Sequence, residues 1–235
     1  MRREPLHPQE CGEMVQESAG VGSPVRTFPG SGRDSGAPAI SADEALRRLA
    51  AGNKRFIKGD THQTSFRKET LASLALGQHP YATILGCSDS RVPPELIFDA
   101  GLGELFVIRV AGNVLSPEVA GSLQYAGAHL QTPLFVVLGH EGCGAVIAAL
   151  KARRRGERQR SRIELLINSI LPGLPNFDPL ISARARLSQA VESNVRWTIR
   201  QILETPEAQA RLAERRMKLV GAIYEIESGQ VRFLN

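Results

Sequence analysis

The chain has 235 residues, of which 42% are hydrophobic and 23% are charged, and its formal net charge is +5. These values are ordinary for a globular protein with one folded domain, or one domain and a tail. No apolar run approaches the roughly 18–20 residues that span a bilayer, and the N-terminus lacks the apolar stretch of a secretory signal. We therefore expect a cytoplasmic protein without a membrane partner.

The first forty residues differ in composition from the rest of the chain. Residues 1–40 are rich in Gly, Ser and Pro and show no sustained periodicity, which predicts a disordered N-terminal tail. Ser41 and Glu44 then form a capping-box pattern in which both side chains would accept hydrogen bonds from free helix amides. Apolar residues recur at helical spacing from there to about residue 58, so we predict an amphipathic helix and a folded domain over 41–235.

Short apolar runs alternate with helical segments from residue 81 onward. Strands are predicted at 82–85, 105–110 and 134–138, helices at 94–99, 117–130, from 143 through 150 and at 181–203, and a final hairpin at 218–226 and 230–234. The segment around Pro172 and Pro175 is predicted to be irregular. Strands that alternate with helices indicate an α/β fold with a central, mostly parallel sheet.

The densest positive charge comes from a run of Lys and Arg between residues 151 and 162. Its members are Lys151, Arg153, Arg154, Arg155, Arg158, Arg160 and Arg162. Nucleic-acid-binding proteins often contain such runs, but no aromatic residues interleave with these arginines. We interpret the run as a solvated helix end and loop, with cations favoured near the helix C-terminus, and expect no nucleic-acid partner.

The chain contains three cysteines, Cys11, Cys87 and Cys143. A small odd number argues against a disulfide framework and fits a reducing compartment. A disulfide between Cys87 and Cys143 is the structural alternative to a reactive role for this pair. The residues around the two cysteines favour the reactive role.

Two short segments follow predicted strands and concentrate reactive side chains. Cys87, Asp89 and Arg91 follow the first strand, and His140 and Cys143 follow the third, in the context of glycines at 139, 142 and 144 that would let the backbone turn tightly. The carboxyl ends of strands in open α/β sheets are where ligands bind. Each residue alone has an ordinary structural explanation, such as a buried cysteine or a surface ion pair, but their joint placement favours one functional site.

Two thiolates and one imidazole suit zinc. A set of three protein ligands favours a catalytic site over a structural one, since zinc prefers four ligands. The fourth ligand could be water, which the metal acidifies, or the carboxylate of Asp89.

The two segments resemble the signature of β-class carbonic anhydrases. The match consists of residues 87–91 (CSDSR), His140 with Cys143 three residues later, and the stretch VPPELIFDAGLGELFVIRVAGN at 92–113, and it covers residues 41–235. The resemblance implies a sheet of four parallel strands and one added edge strand, flanked by helices. It also implies a homodimer or a higher oligomer built from dimers.

The resemblance also assigns roles to residues. It implies one zinc per chain on Cys87, His140 and Cys143, with Asp89 and Arg91 as a catalytic dyad and Asp89 as a fourth ligand in a closed form. Gln78, Phe106 and Tyr125 match substrate-binding positions, and in the family the glutamine and the tyrosine reach the site of the neighbouring subunit. Family members with a bicarbonate effector site have Trp where this chain has Ile84, although Arg109 and Tyr125 match other residues of that site.

The expected reaction is the reversible hydration of carbon dioxide to bicarbonate and a proton, with zinc-bound hydroxide as the nucleophile. Two thiolates should leave the bound water less acidic than three imidazoles do, so we expect activity to favour alkaline pH. Two alternatives remain open: a hydrolase for carbon disulfide or carbonyl sulfide on the same scaffold, and a zinc-binding relative without catalytic activity.

Overall fold

The computed structural model describes residues 40–62, 68–156 and 161–234, and the predicted tail lies outside the described residues apart from Ile40. The helices are α1 (Ala42–Lys58), α2 (Lys68–Leu74), α3 (Pro94–Ile97), α4 (Pro117–Ala128), α5 (Gly144–Arg155), α6 (Ile163–Ile170), α7 (Ala183–Leu203) and α8 (Pro206–Ala213). The strands are β1 (Ala82–Gly86), β2 (Leu105–Arg109), β3 (Leu134–His140), β4 (Lys218–Tyr224) and β5 (Val231–Phe233). Two short 3-10 turns lie at Ala111–Asn113 and Leu171–Gly173.

The strands form one five-stranded sheet in the order β2-β1-β3-β4-β5. The first four strands are parallel, and β5 pairs with β4 in the antiparallel direction. Every residue of β1 and β3 is buried, which explains why these strands read as unbroken apolar runs. The α/β fold with four parallel strands and one added edge strand is confirmed.

Helix α1 begins where the capping pattern predicts, but only half of the capping box forms. The hydroxyl of Ser41 accepts a hydrogen bond from the backbone N–H of Glu44 at 3.1 Å. The Glu44 carboxylate instead pairs with Arg47 and Arg48 on the next turn. The prediction that this carboxylate reaches back to the Ser41 amide is therefore wrong, because two nearby guanidinium groups attract it more strongly than one amide does.

Other differences concern short helices. The helix predicted at 94–99 ends at Ile97, and Asp99 has a φ of 45°, a left-handed conformation that cannot continue a right-handed helix. Helices α2, α6 and α8 were not predicted. The sequence Thr205-Pro206 was an available signal for α8, since Thr205 caps the helix and Pro206 occupies its first turn.

Strand register sets the position of the reactive segments. Gly86 at the end of β1 pairs with Leu138, and β3 continues for two more residues to His140. The chain after β1 and the chain after β3 therefore leave the same edge of the sheet. Gly139 allows α7 to approach β3, because a Cβ at residue 139 would lie 2.6 Å from the Val195 side chain.

The described helices include none with both the length and the apolar character needed to cross a bilayer.

Candidate metal centre

Cys87, His140 and Cys143 form a compact group at the carboxyl edge of the sheet. Their ligand atoms all lie within 4.8 Å of one another, and all three residues are buried. Cys87 directly follows β1, His140 is the last residue of β3, and Cys143 is the N-cap of α5. Gly142, which lies between His140 and Cys143, has a φ of 68°. This left-handed backbone conformation, which glycine adopts easily, lets the chain turn between the two candidate ligands.

Of the three glycines predicted to shape the turn, only Gly142 has a backbone conformation that favours glycine. Gly142 has a positive φ, whereas Gly139 lies inside β3 and matters for its small size. A Cβ at Gly144 would meet nothing within 4 Å, and this glycine has no positive φ. The expectation that all three glycines shape the turn is therefore wrong for Gly139 and Gly144.

The ring of His140 is oriented by the backbone beside it. Its Nδ1 lies 2.9 Å from the carbonyl oxygen of Glu141, which requires the proton to be on Nδ1 and leaves a lone pair on Nε2. The Nε2 atom is buried and has no hydrogen-bond partner among the described residues. A buried acceptor without a partner is costly, and a metal cation bound to Nε2 would satisfy it.

Both cysteines are free thiols, so the disulfide alternative does not occur. A hydrogen bond from Cys143, supported by His140 and by the backbone N–H groups of Gly112 and Asp89, lowers the pKa of Cys87 to about 4 despite its burial. The pKa of Cys143 is raised by its sharing of that proton with Cys87 and by burial. These contacts favour the thiolate form of Cys87, which is the form of cysteine that binds a metal.

Asp89 and Arg91 form a two-pronged ion pair beside this group. Arg91 donates from Nε to Oδ1 at 2.9 Å and from its terminal nitrogen to Oδ2 at 2.8 Å, and its backbone N–H also donates to Oδ1 at 3.0 Å. The hydrogen bonds from Arg91 hold the pKa of the Asp89 carboxyl well below its usual range. The same carboxylate lies 4.0 Å from Nε2 of His140, so an ionised group faces the candidate metal position.

Comparison with known proteins identifies the family. The carbonic anhydrase family model matches residues 82–231, which include all five of these side chains. Carbonic anhydrase 2 of Mycobacterium tuberculosis is 38% identical over 190 residues, covering 79% of this chain and 89% of the relative. The chain belongs to the β-carbonic anhydrase family. A carbonic anhydrase of Mycolicibacterium smegmatis is also 38% identical, over 80% of this chain and 90% of its own length.

Solved β-carbonic anhydrases share the fold. One of two tetrameric enzymes from the ascomycete Sordaria macrospora superposes with a TM-score of 0.65 and 25% identity, over 81% of this chain and 96% of the other. The Coccomyxa enzyme, in a complex with acetazolamide, superposes with a TM-score of 0.63 and 26% identity, over 80% and 86% of the two chains. Enzymes of this family use zinc, and the buried Cys-His-Cys group of this chain fits that metal in number and kind of ligand.

The structure also shows contacts around the β-carbonic anhydrase site that the sequence did not predict, although Arg109 was matched to a residue of the family's effector site. Arg109, at the end of β2, donates to the carbonyl oxygens of Cys87 at 2.9 Å and Asp89 at 2.6 Å. The backbone N–H of Gly112 donates to the Cys87 sulfur at 3.3 Å, and the side chain of Asn194 on α7 donates to the Gly112 carbonyl at 2.8 Å. A chain of hydrogen bonds therefore runs from α7 to the first candidate ligand.

The three predicted substrate-binding residues lie outside this hydrogen-bonded network. Gln78 is half-buried in the loop before β1, and it makes no hydrogen bond within the described part of the chain. Phe106 on β2 and Tyr125 on α4 pack together, with ring centroids 6.0 Å apart. Tyr125 is 44% exposed, which leaves its ring available to a molecule outside this chain.

Proposed function

We propose that this protein catalyses the reversible hydration of carbon dioxide to bicarbonate with one zinc ion held by Cys87, His140 and Cys143. The observation that carries the proposal is the placement of an ionised, arginine-held carboxylate 4.0 Å from the free nitrogen of a buried Cys-His-Cys group. A structural zinc site has no use for such a carboxylate, because it closes with four protein ligands. Family membership and the carbonic anhydrase relatives support the same reaction.

Held by Cys87, His140 and Cys143, a zinc ion would acidify a bound water molecule; in the three-histidine carbonic anhydrases the metal lowers the pKa of that water from about 15.7 to about 7. Around it, the chain provides the orienting groups. Asp89 is kept ionised by Arg91 and can accept a hydrogen bond from the attacking oxygen, which directs a lone pair of that oxygen at carbon dioxide. Arg91 also keeps the carboxylate turned toward itself, so that three side chains remain as metal ligands and a solvent position stays open.

We further propose that the active form is a homodimer or an assembly of dimers. Strand β2 forms one edge of the sheet, opposite β5, and its residues are only half-buried or exposed. The neighbouring Tyr125 ring is exposed. Unpaired sheet edges and exposed aromatic rings are typical of surfaces that pair with another chain. In such an assembly Gln78 would donate a hydrogen bond to a substrate oxygen of the partner site, and Phe106 and Tyr125 would keep the pocket apolar.

A cytoplasmic location is part of the same proposal. The buried thiols of Cys87 and Cys143 must stay reduced to bind a metal, and they are free in the structure. A reducing compartment maintains cysteines in that form.

Stopped-flow measurement of carbon dioxide hydration between pH 6.5 and 9, with the zinc content of the same sample, tests the proposal. We expect one zinc per chain and a rate that rises toward alkaline pH, because two thiolates reduce the acidity of the bound water. A zinc-replete, folded protein without hydration activity would contradict the proposal. Parallel assays with carbon disulfide and carbonyl sulfide would detect the alternative hydrolase activity, and inactivity with all three substrates would indicate a non-catalytic zinc protein.

A further inference from the structure

A second concave surface lies between the C-terminal half of α5, the segment at 176–179 and the start of α7. This basic groove has a volume of about 810 Å³ and is open to solvent. Its cationic residues are Lys151, Arg153, Arg154 and Arg186, and its apolar floor includes Phe177 and Leu187. No acidic residue lines it among the described residues. The groove therefore combines several positive charges with an apolar surface.

The four cations have no carboxylate partner in the described ranges. Arg153 donates to the carbonyl oxygens of Leu174 at 3.1 Å and Pro175 at 2.8 Å, and its guanidinium lies 4.9 Å from the centre of the Phe177 ring. By contrast Arg184, two residues before Arg186, pairs with the carboxylates of Glu141 and Glu227. Within the described ranges, carboxylate partners are thus present beside the start of α7 but absent from the groove.

Arg186 differs from the other three cations because one of its N–H groups is buried without a hydrogen-bond acceptor among the described residues. Its terminal nitrogen reaches the carbonyl oxygens of Pro179 and Ile181 only at 3.5 Å, and its Nε is buried and has no partner within the described part of the chain. A buried guanidinium N–H without an acceptor is costly unless another group supplies one. An anion in the groove could neutralise the charge of this guanidinium.

Helix dipoles explain only some of these charges. Lys151, Arg153 and Arg154 lie in the last turns of α5, where a cation is favoured by the negative helix end. Arg186 is the fourth residue of α7, at the positive end of that helix, and the first turn of α7 contains no acidic residue. The α7 dipole disfavours a positive charge at this end of the helix. The position of Arg186 therefore cannot be explained by a favourable interaction between a cation and a helix end.

We propose that the basic groove binds a small organic phosphate that carries at least two negative charges and a ring or other apolar body, as nucleoside diphosphates do. The planar N–H donors of arginine match phosphate oxygens, and the floor around Phe177 and Leu187 would pack against the apolar body. A volume of about 810 Å³ falls within the usual range for small-molecule sites. A nucleic-acid strand is a poorer fit, since the single lining aromatic ring is already in contact with Arg153.

This site is separate from the metal centre. No residue of the metal centre lines the groove, and along α5 Lys151 and Arg154 lie 8 and 11 residues after the N-cap, Cys143, which is about 12 and 17 Å at 1.5 Å per residue. A ligand in the groove would not touch the substrate position. Binding at the groove and hydration of carbon dioxide can therefore be tested independently.

Isothermal titration of the zinc-loaded full chain with ADP, pyrophosphate and adenosine tests the proposal. We expect saturable binding of ADP, weaker binding of pyrophosphate, no binding of adenosine, and a lower ADP affinity as salt is raised from 50 to 500 mM. Lys151→Gln/Arg154→Gln should weaken ADP binding by at least about tenfold, since it removes two cations that can donate to phosphate.

The matched control is Lys54→Gln/Arg215→Gln, which removes the same charge at two exposed positions without an ion pair among the described residues. It should bind ADP as the unmodified protein does. Equal ADP affinity in the two double variants would overturn the proposal, because binding at the metal or through overall charge would survive in both. So would adenosine binding as tightly as ADP, pyrophosphate binding as tightly as ADP, or no ADP binding at millimolar concentration.

Carbon dioxide hydration by the Lys151→Gln/Arg154→Gln variant should equal that of the unmodified protein. This measurement separates the two proposals, since failure of the groove proposal leaves hydration unchanged and failure of the hydration proposal leaves ADP binding unchanged. A loss of hydration in this variant at full zinc content would contradict the independence of the two sites.

Discussion

The two segments that form the metal centre are held in place in different ways. Residues 87–91 depend on distant parts of the chain: Arg109 holds two of their carbonyls, and Gly112, itself bonded to Asn194, donates to the Cys87 sulfur. Residues 140–144 are held by regular secondary structure: the Glu141 N–H donates to the Tyr224 carbonyl of the neighbouring strand β4 at 2.9 Å, the Glu141 carbonyl orients His140, and α5 begins after Cys143. The segment with the Asp89–Arg91 pair is thus the one in which polar side chains from other elements, Arg109 and Asn194, fix the backbone.

This difference predicts which substitutions affect the metal and which affect the chemistry around it. Losing a ligand from either segment should abolish metal binding. Losing a contact of residues 87–91 should leave the metal bound but reduce its affinity or the catalytic rate.

Cys143→Ala should abolish zinc binding and hydration, because two remaining protein ligands leave the metal with one thiolate and an incomplete shell. Atomic absorption of the dialysed protein and stopped-flow assays measure the two losses. Cys11→Ala is the matched control, since Cys11 is the cysteine outside the ligand group, and it should keep one zinc and full activity. Normal activity of Cys143→Ala would overturn the ligand assignment.

Arg91→Ala should retain zinc and lose about 100-fold or more of the hydration rate, an effect in the range seen when an orienting group is removed. Without the guanidinium, the Asp89 carboxylate is free to bind the metal and to occupy the solvent position. X-ray absorption at the zinc edge should then show two sulfurs, one nitrogen and a carboxylate oxygen at every pH.

Arg184→Ala provides the comparison in the other segment. Arg184 pairs with the side chain of Glu141 in a largely exposed ion pair, which contributes little. Its substitution should leave zinc content and rate nearly unchanged.

A near-normal rate in zinc-replete Arg91→Ala would mean that Arg91 only anchors the loop.

Asn194→Ala should weaken zinc binding by about 10- to 100-fold, the usual cost of removing a group that orients a metal ligand. The buried amide holds the Gly112 carbonyl, and the Gly112 N–H in turn donates to Cys87. Competition with a chelator measures the zinc affinity, and thermal unfolding of the same samples measures stability.

Asn53→Ala is the control for a general folding defect. Asn53 is also buried and also bonds to backbone groups, the Ile97 and Gly229 carbonyls and the Val231 N–H, but these lie outside the metal centre. It should lose comparable stability and keep the zinc affinity of the unmodified protein. Equal loss of zinc affinity in both variants would remove the special role of Asn194.

The acid dependence of stability should report on the Asp89–Arg91 pair. Arg91 lowers the pKa of Asp89 in the folded protein, so the pair stabilises the fold above the ordinary aspartate pKa of about 3.9 and this contribution is lost as pH falls below that value. Asp89→Asn should lack this contribution, on the order of 1 kcal/mol for a partly exposed pair. Urea unfolding at pH 7 and pH 3 should therefore show a smaller decrease for the variant than for the unmodified protein.

Deletion of residues 1–38 should have the smallest effect, because a Gly/Ser/Pro-rich sequence buries little apolar surface. We expect an unchanged melting temperature and hydration rate, in keeping with the proposal that the catalytic domain spans 41–235. Deletion through Phe56 should be damaging, since α1 contributes the buried side chains of Ala45 and Leu49 to the core. Unfolding or inactivation by the shorter deletion would place the domain boundary earlier in the chain.

Local sequence pattern predicted the parallel sheet and the residues that form the Cys-His-Cys group. Buried parallel strands require uninterrupted apolar runs, and both ligand segments directly follow or end such a run, so local pattern was sufficient for β1, β3, Cys87 and His140. Short helices were harder to predict, although two of them carry a signal: Ser161 and Glu164 have the same Ser-x-x-Glu spacing before α6 as Ser41 and Glu44 have before α1, and Thr205-Pro206 begins α8. The Ser41 cap was predicted, but the side-chain partner of Glu44 depended on which arginines lay nearby.

Only the tertiary structure decided how the first ligand segment is supported. Asn194 and Gly112 are 82 positions apart, and Arg109 and Cys87 are 22 apart. No local periodicity or spacing links these pairs, because Asn194 reaches Gly112 only after α7 has packed against the sheet, and Arg109 reaches Cys87 only after β2 has paired with β1. The same holds for the basic groove, where Arg186 on α7 joins Lys151, Arg153 and Arg154 on α5. A sequence pattern specifies which side chains face the core, whereas the tertiary packing determines which groups the polar side chains contact.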